Sequence, residues 1–198
     1  MRIQFWFDFG SPYSYLTSSR IERLTQQAGV KVDWRPFLLG PIFRKQGWDS
    51  SPFNLYPAKG RYMWRDLERT CEAMGLPFRK PSVFPQNGLI ASRVACTFAD
   101  SPWVAEFVKR AFAASFVSNL ELTDIAVIEK LLDEIGQSGK DILAISQGAE
   151  SKDRLRAQTE AAEAHGIFGA PTFRVGEELF WGNDRLEDAI QWAVKASA

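Results

Sequence analysis

Two serines three residues apart, in the segment FDFGSPYSYL, stand where an apolar run gives way to a helical pattern. A hydroxyl in the first turn of a helix lies beside unpaired backbone N–H groups and the positive end of the helix dipole. There Ser11 can donate a hydrogen bond to an anion and lower the pKa of the group that carries it. On local sequence the plainer account of the same residue is an N-cap, with Pro12 at the first helical position. The two roles are compatible, because a capping hydroxyl can also face a ligand. Ser14 reads as structural.

Three other stretches hold candidate chemistry. In FGAPTF, Pro171 opens a strand, where it costs a ladder hydrogen bond unless it sits at an edge or in a special turn. In WGNDRLEDA, Asp184 and Glu187 have capping-box spacing. The same helix start offers N–H groups to a carboxylate and, through Asp184, a side-chain carboxylate to an ammonium group. In SPFNLYPAKGRYMWRD, Asn54, Lys59 and Tyr62 lie where loop becomes helix. Lys59 there suits a carboxylate, while Tyr62 and Phe53 suit a planar ring, and a solvated lysine beside core aromatics is the plainer account.

The elements that must position these residues follow from periodicity. Residues 2 to 9 alternate as a strand, Tyr13 to Ala28 repeat as a helix ending at Gly29, and Val30, Val32 and Trp34 alternate again. This is a β-α-β unit with parallel strands and a right-handed crossover. Residues 37 to 58, rich in Gly, Pro, Ser and aromatics, read as a long structured loop. Helical periodicity then runs from Lys59 to about His165, including a stripe of Ile125, Ile128, Leu131, Leu132 and Ile135. After Gly169 come a hairpin, APTFRV and ELFWG around Gly176-Glu177, and a last helix from Asp184 to Lys195 with Leu186, Ile190, Ala193 and Val194 inward. The order β-α-β, helices, β-β-α predicts an α/β, thioredoxin-like fold with a large all-helical insertion. Residues 1–40 and 166–198 would form the thioredoxin-like part, and 41–165 the inserted loop and helices.

In that fold Ser11 and Ser14 hold the positions of a C-x-x-C pair, and serine exchanges no disulfides. Pro171 would be cis and face the first helix. The backbone of Ala170 would then be free to pair with an extended peptide such as glutathione.

Composition narrows the function classes. The 198 residues carry 24 basic and 24 acidic side chains, which speaks against nucleic acid as a partner. Aromatics reach 13%, enough for a core and a pocket for a planar ligand. Cys71 and Cys96 lie 25 residues apart, neither a disulfide framework nor a zinc site, and one histidine gives no metal site to propose. No stretch nears the ~20 apolar residues of a membrane span, and Gln4 and Asp8 interrupt any secretory core. The expectation is a cytoplasmic protein with reduced thiols, acting neither on nucleic acid nor in a membrane.

Taken together, FDFGSPYSYL, PAKGRYMWRDLER, GIFGAPTF and FWGNDRL, in this order and spacing, resemble the 2-hydroxychromene-2-carboxylate isomerase family. That family belongs to the DsbA-like branch of the thioredoxin superfamily and is related to kappa-class glutathione transferases. The resemblance spans essentially the whole chain. It implies a glutathione-dependent cis–trans isomerase that interconverts 2-hydroxychromene-2-carboxylate and trans-o-hydroxybenzylidenepyruvate, with Ser11 activating the glutathione thiol for reversible addition. By position Ser11, Ala170, Pro171, Trp181, Gly182, Asn183 and Asp184 match glutathione-binding residues. Lys59 matches a lysine of the ligand site, and Asn54, Tyr62 and Phe84 fall on the substrate side, for an aromatic carboxylate. Phe53 and Phe84-Pro85 stand where the naphthalene-pathway isomerase has more polar residues, so the substrate side departs from the family pattern. A homodimer is also implied. The alternatives are a kappa-type transferase that conjugates glutathione to an electrophile and a non-catalytic module that binds glutathione and an aromatic acid.

Overall fold

The computed structural model describes residues 1–196, so the last two residues of the expected 166–198 segment lie outside the described residues. The chain opens with β1 (Arg2–Phe7), α1 (Pro12–Gln27) and β2 (Lys31–Pro36). It then forms α2 (Leu39–Lys45), α3 (Pro52–Leu55), α4 (Pro57–Met74), α5 (Leu89–Thr97) and α6 (Val104–Phe116). Next come α7 (Ile125–Asp133), α8 (Gly139–Ser146) and α9 (Ala149–Ala164). The hairpin β3 (Thr172–Val175) and β4 (Glu178–Trp181), a 3-10 turn (Asn183–Arg185) and α10 (Leu186–Lys195) close the fold. The four strands are ordered β2-β1-β3-β4, with β1 parallel to β2 and antiparallel to β3. This is the thioredoxin-like α/β core with its large helical insertion.

The alternation of β1 decides how the sheet is covered. Ile3, Phe5 and Phe7 are fully buried on one face, and Phe9 extends the row. Phe7 and Phe9 pack against Phe112 of α6, with ring centroids 6.0 and 5.0 Å apart. The insertion therefore shares the aromatic core of the sheet. Trp6 turns to the other face and packs with Phe37, Ile42, Ala162 and Ile167 beneath α9. Val175 pairs with Glu178 across the two-residue turn, where Gly176 takes a φ of 59° that a branched side chain resists.

Three expectations need correction. The stretch from 37 to 58 is not all loop: α2 and α3 lie within it. The N-terminus of α2 is satisfied from a distance, since Asp8 Oδ2 accepts from the Leu39 N–H at 2.8 Å and Thr159 Oγ1 from Leu38 at 3.2 Å. Ile125 and Val194 carry the helical period but lie at the ends of α7 and α10, and they are exposed rather than inward. Finally, α10 starts at Leu186 behind a 3-10 turn, with no side-chain cap, so the predicted capping box at Asp184 does not form.

Candidate active site

Ser11 follows the turn after β1 and caps α1. Its Oγ accepts from the Ser14 N–H at 3.2 Å and donates to the Ala170 carbonyl at 2.8 Å. The hydroxyl thus bridges the start of α1 and the loop before β3, where the Ala170-Pro171 peptide is cis. Pro12 has no N–H, and the N–H groups of Ser14 and Tyr15 both reach the Ser11 carbonyl. The Tyr13 N–H is left as the donor of that first turn without an acceptor among the described residues. An anion placed there would meet this N–H, the Ser11 hydroxyl and the helix dipole together. Ser14 is fully buried and its own hydroxyl is unpaired, so it presents nothing to a ligand.

The corner opens into a cleft of about 1490 Å³ between the sheet end and the insertion. One wall carries Ala170, Pro171, Trp181, Gly182, Asn183 and Asp184. Lys59, Tyr62, Phe53 and Phe84 line the other side. Asn54 is the exception among the sequence candidates. It does not line the cleft, because its amide donates to the Phe84 carbonyl and to Ser50 Oγ, each at 3.1 Å. Its part is to brace the Phe84 segment against α3.

Each wall has a local cause. Trp181 lies against the backbone of Gly169, where a Cβ would run into its indole nitrogen, and stacks edge-on with Phe168 at 4.9 Å. Asp184 folds back over Gly182, its Oδ1 2.5 Å from where a Cβ would stand, and pairs with Arg185 at 3.1 Å. Asn183 is held in place: Oδ1 accepts from Thr17 at 3.1 Å, and its carbonyl accepts from Arg20 at 2.8 Å. The N–H groups of Asn183 and Asp184 open the 3-10 turn and so have no acceptor within it. Lys59 has no carboxylate partner among the described residues and lies over the Tyr56 ring at 5.6 Å.

Sequence reasoning missed Asp8, Tyr13 and Gln86, all in the cleft lining. Asp8 Oδ1 accepts from Gly10 N–H at 2.7 Å while Oδ2 holds α2, so one carboxylate ties the Ser11 loop to the insertion. Burial pushes its pKa up, although both backbone bonds pull it down. The Tyr13 hydroxyl donates to Asp66 at 2.9 Å, and burial together with that neighbour raises its pKa, so it stays protonated. Gln86 accepts from the Leu122 N–H at 3.3 Å, and its amide nitrogen is buried without a partner. An aspartate inside a strand-like apolar run was the one signal that could have found Asp8.

Residues 2–191 match the family model of the DSBA-like thioredoxin domain. A 2-hydroxychromene-2-carboxylate isomerase of Pseudomonas putida is 32% identical over 197 residues, covering 94% of this chain and 91% of that protein. Glutathione S-transferase kappa 2 of Caenorhabditis elegans is 27% identical, over 98% of this chain and 92% of its own length. A solved structure of a 2-hydroxychromene-2-carboxylate isomerase superposes with a TM-score of 0.88, covering 100% of this chain and 98% of that one at 24% identity, which shows the shared fold. With its sheet order, its serine corner and these relatives, the chain belongs to the 2-hydroxychromene-2-carboxylate isomerase family within the DsbA-like thioredoxin superfamily, related to the kappa-class glutathione transferases.

Proposed function

We propose that the protein is a glutathione-dependent cis–trans isomerase that acts on 2-hydroxychromene-2-carboxylate, or on a related aromatic-acid intermediate of ring degradation. Family membership supports an isomerase-type activity in this fold. The observation that carries the finer reading is the corner at Ser11, where a hydroxyl and the unpaired Tyr13 N–H stand in a cleft lined by neither cysteine. The thiol therefore arrives with the ligand. When bound, glutathione would supply a thiolate for reversible addition to the conjugated double bond, which frees that bond to rotate.

The residues fit a peptide of that kind. Ala170 offers its backbone beside the cis proline, and the 3-10 turn offers N–H groups to a carboxylate with Asp184 beside them for an ammonium. Lys59, free of a carboxylate of its own, suits a second carboxylate. Ser11 Oγ carries one proton, and in this structure it points to Ala170. To stabilise a thiolate, the hydroxyl turns that proton toward the sulfur and keeps its acceptor role to Ser14. The cleft exceeds the ~300–1,000 Å³ of a typical single-ligand pocket, which leaves room for an aromatic acid along Phe53, Tyr62 and Phe84.

Supplying 2-hydroxychromene-2-carboxylate with substoichiometric glutathione tests the reading. Full conversion to the trans-benzylidenepyruvate, with glutathione recovered, is expected. Product that stops at the amount of glutathione added would assign the chain to the transferase reading instead, and binding without any turnover would leave only a binding module.

A further inference from the structure

The second face of the sheet is incompletely covered. On β2, Trp34 packs into the aromatic core, so Asp33 and Arg35 alternate to the other side, level with Gln4 and Trp6 of β1. Helix α9 lies over that side, and a cavity of about 750 Å³ remains between it, the sheet and the C-terminal end of α5. Most polar groups in its walls are paired. Arg2 Nε donates to Asp33 at 3.0 Å, Trp6 Nε1 to Gln4 at 3.1 Å and Gln158 to the Pro36 carbonyl at 2.5 Å. Arg154 of α9 pairs at the rim with Glu150 at 2.7 Å.

Arg35 differs from these. No group among the described residues accepts from its guanidinium, and its Nε is shut off from solvent as well. A half-buried guanidinium with no acceptor among the described residues costs desolvation that no hydrogen bond there offsets. Arg154 lines the same cavity, and both guanidinium groups act electrostatically on Cys96, which lines it too. His165, edge-on to Trp6 at 5.9 Å, stands at another wall. Asp33 and Asp100 also line the cavity, and both act on Arg2.

We propose that this cavity is a second, anion-binding site in which Arg35, helped by Arg154, holds the oxygens of a small carboxylate or phosphate compound. A guanidinium fork matches the paired oxygens of either group. The volume suits a metabolite-sized acid rather than a lone ion. The site shares no lining residue with the Ser11 cleft, so it stands apart from the isomerase reading.

The test is a titration followed by the NMR signals of Arg35 Nε–H and Trp6 Nε1–H, at constant ionic strength and without glutathione. Inorganic phosphate, acetate and benzoate are the probes, and chloride is the control. Saturable shifts with phosphate, or with a carboxylate, are expected, and which probe saturates distinguishes a phosphorylated ligand from a carboxylic acid. The Arg154→Gln variant, at a largely exposed position, should weaken half-saturation at least severalfold. In Arg35→Gln the Trp6 response should vanish. Linear shifts equal to those of chloride, or an Arg154→Gln variant that titrates like the parent, would overturn the proposal. So would movement of these signals with protein concentration alone, because a carboxylate of a second copy would then be the occupant.

Discussion

Ser11 has one proton and two claims on it. In the resting geometry the proton goes to the Ala170 carbonyl, while Oγ receives the Ser14 N–H. Replacing Ser11 with Ala removes both bonds and costs about 1 kcal/mol of stability as a lost cap. In the proposed reaction it also withdraws one donor from a thiolate, whose hydrogen bond to a charged group is worth about 1.5–3 kcal/mol. The pKa of bound glutathione should rise by about 1–2 pH units in Ser11→Ala, read from thiolate absorbance, yet stay below that of free glutathione because the Tyr13 N–H remains. A bound pKa equal to that of the parent would remove Ser11 from the thiol's environment. Asp184 gives a second contrast. Since among the described residues it caps nothing and pairs only with exposed Arg185, Asp184→Asn should leave the melting temperature nearly unchanged while weakening glutathione binding about tenfold. Unchanged affinity by calorimetry would take Asp184 out of the site. At this scale the serine cap was legible, because Ser-Pro at a strand-to-helix junction is a local signal. The partner of its proton, 159 residues away, was not, and neither was the failure of a capping box whose spacing looked right.

At the scale of elements, α2 shows how a helix hides in a sequence. It contains Gly40 and Pro41, and its N-terminus is held by Asp8 and Thr159 rather than by a neighbour in the chain. No local pattern marks it, so residues 37 to 58 looked like loop. The hairpin and the long helices, by contrast, announce themselves through period and turn chemistry. Asp8 makes α2 and the Ser11 loop one unit, because its two oxygens serve Leu39 and Gly10. An asparagine has only one carbonyl oxygen to offer, so Asp8→Asn should speed amide exchange at Leu39 or Gly10 while leaving β4 protected. The pH dependence has a definite sign. Burial raises the folded pKa of Asp8 above its ordinary value, so the folded chain holds this proton longer than the unfolded one. Its contribution to stability is full below the ordinary carboxylate pKa and is lost as pH rises through the folded value, and Asp8→Asn should flatten that slope in denaturant titrations.

On the scale of the whole molecule, the cleft exists because two stretches distant in sequence share one core. Phe5, Phe7 and Phe9 of the sheet segment and Phe112 and Phe116 of α6 are all fully buried in a single cluster. Tyr15 of α1 stacks on Phe116 at 5.5 Å, and Gly88 lies so close to Phe9 that a Cβ would stand 2.5 Å from the phenylalanine Cβ. The sequence pattern distinguishes sheet from helices but cannot say how far they merge, since contacts between Phe9 and Phe112 obey no period. Their merging has a thermodynamic consequence. Phe112→Ala deletes a ring from the shared cluster, at a cost of about 3–5 kcal/mol. If sheet and insertion unfold together, this loss should appear equally in the exchange protection of β1 and of α6, and a single calorimetric transition should keep van't Hoff and calorimetric enthalpies equal. Protection lost in α6 while β1 keeps its parent value would mean that the insertion opens on its own. The wall bearing Lys59 and Phe84 would then be free to part from the wall bearing Ser11, making access to the cleft a matter of partial unfolding rather than of a fixed opening.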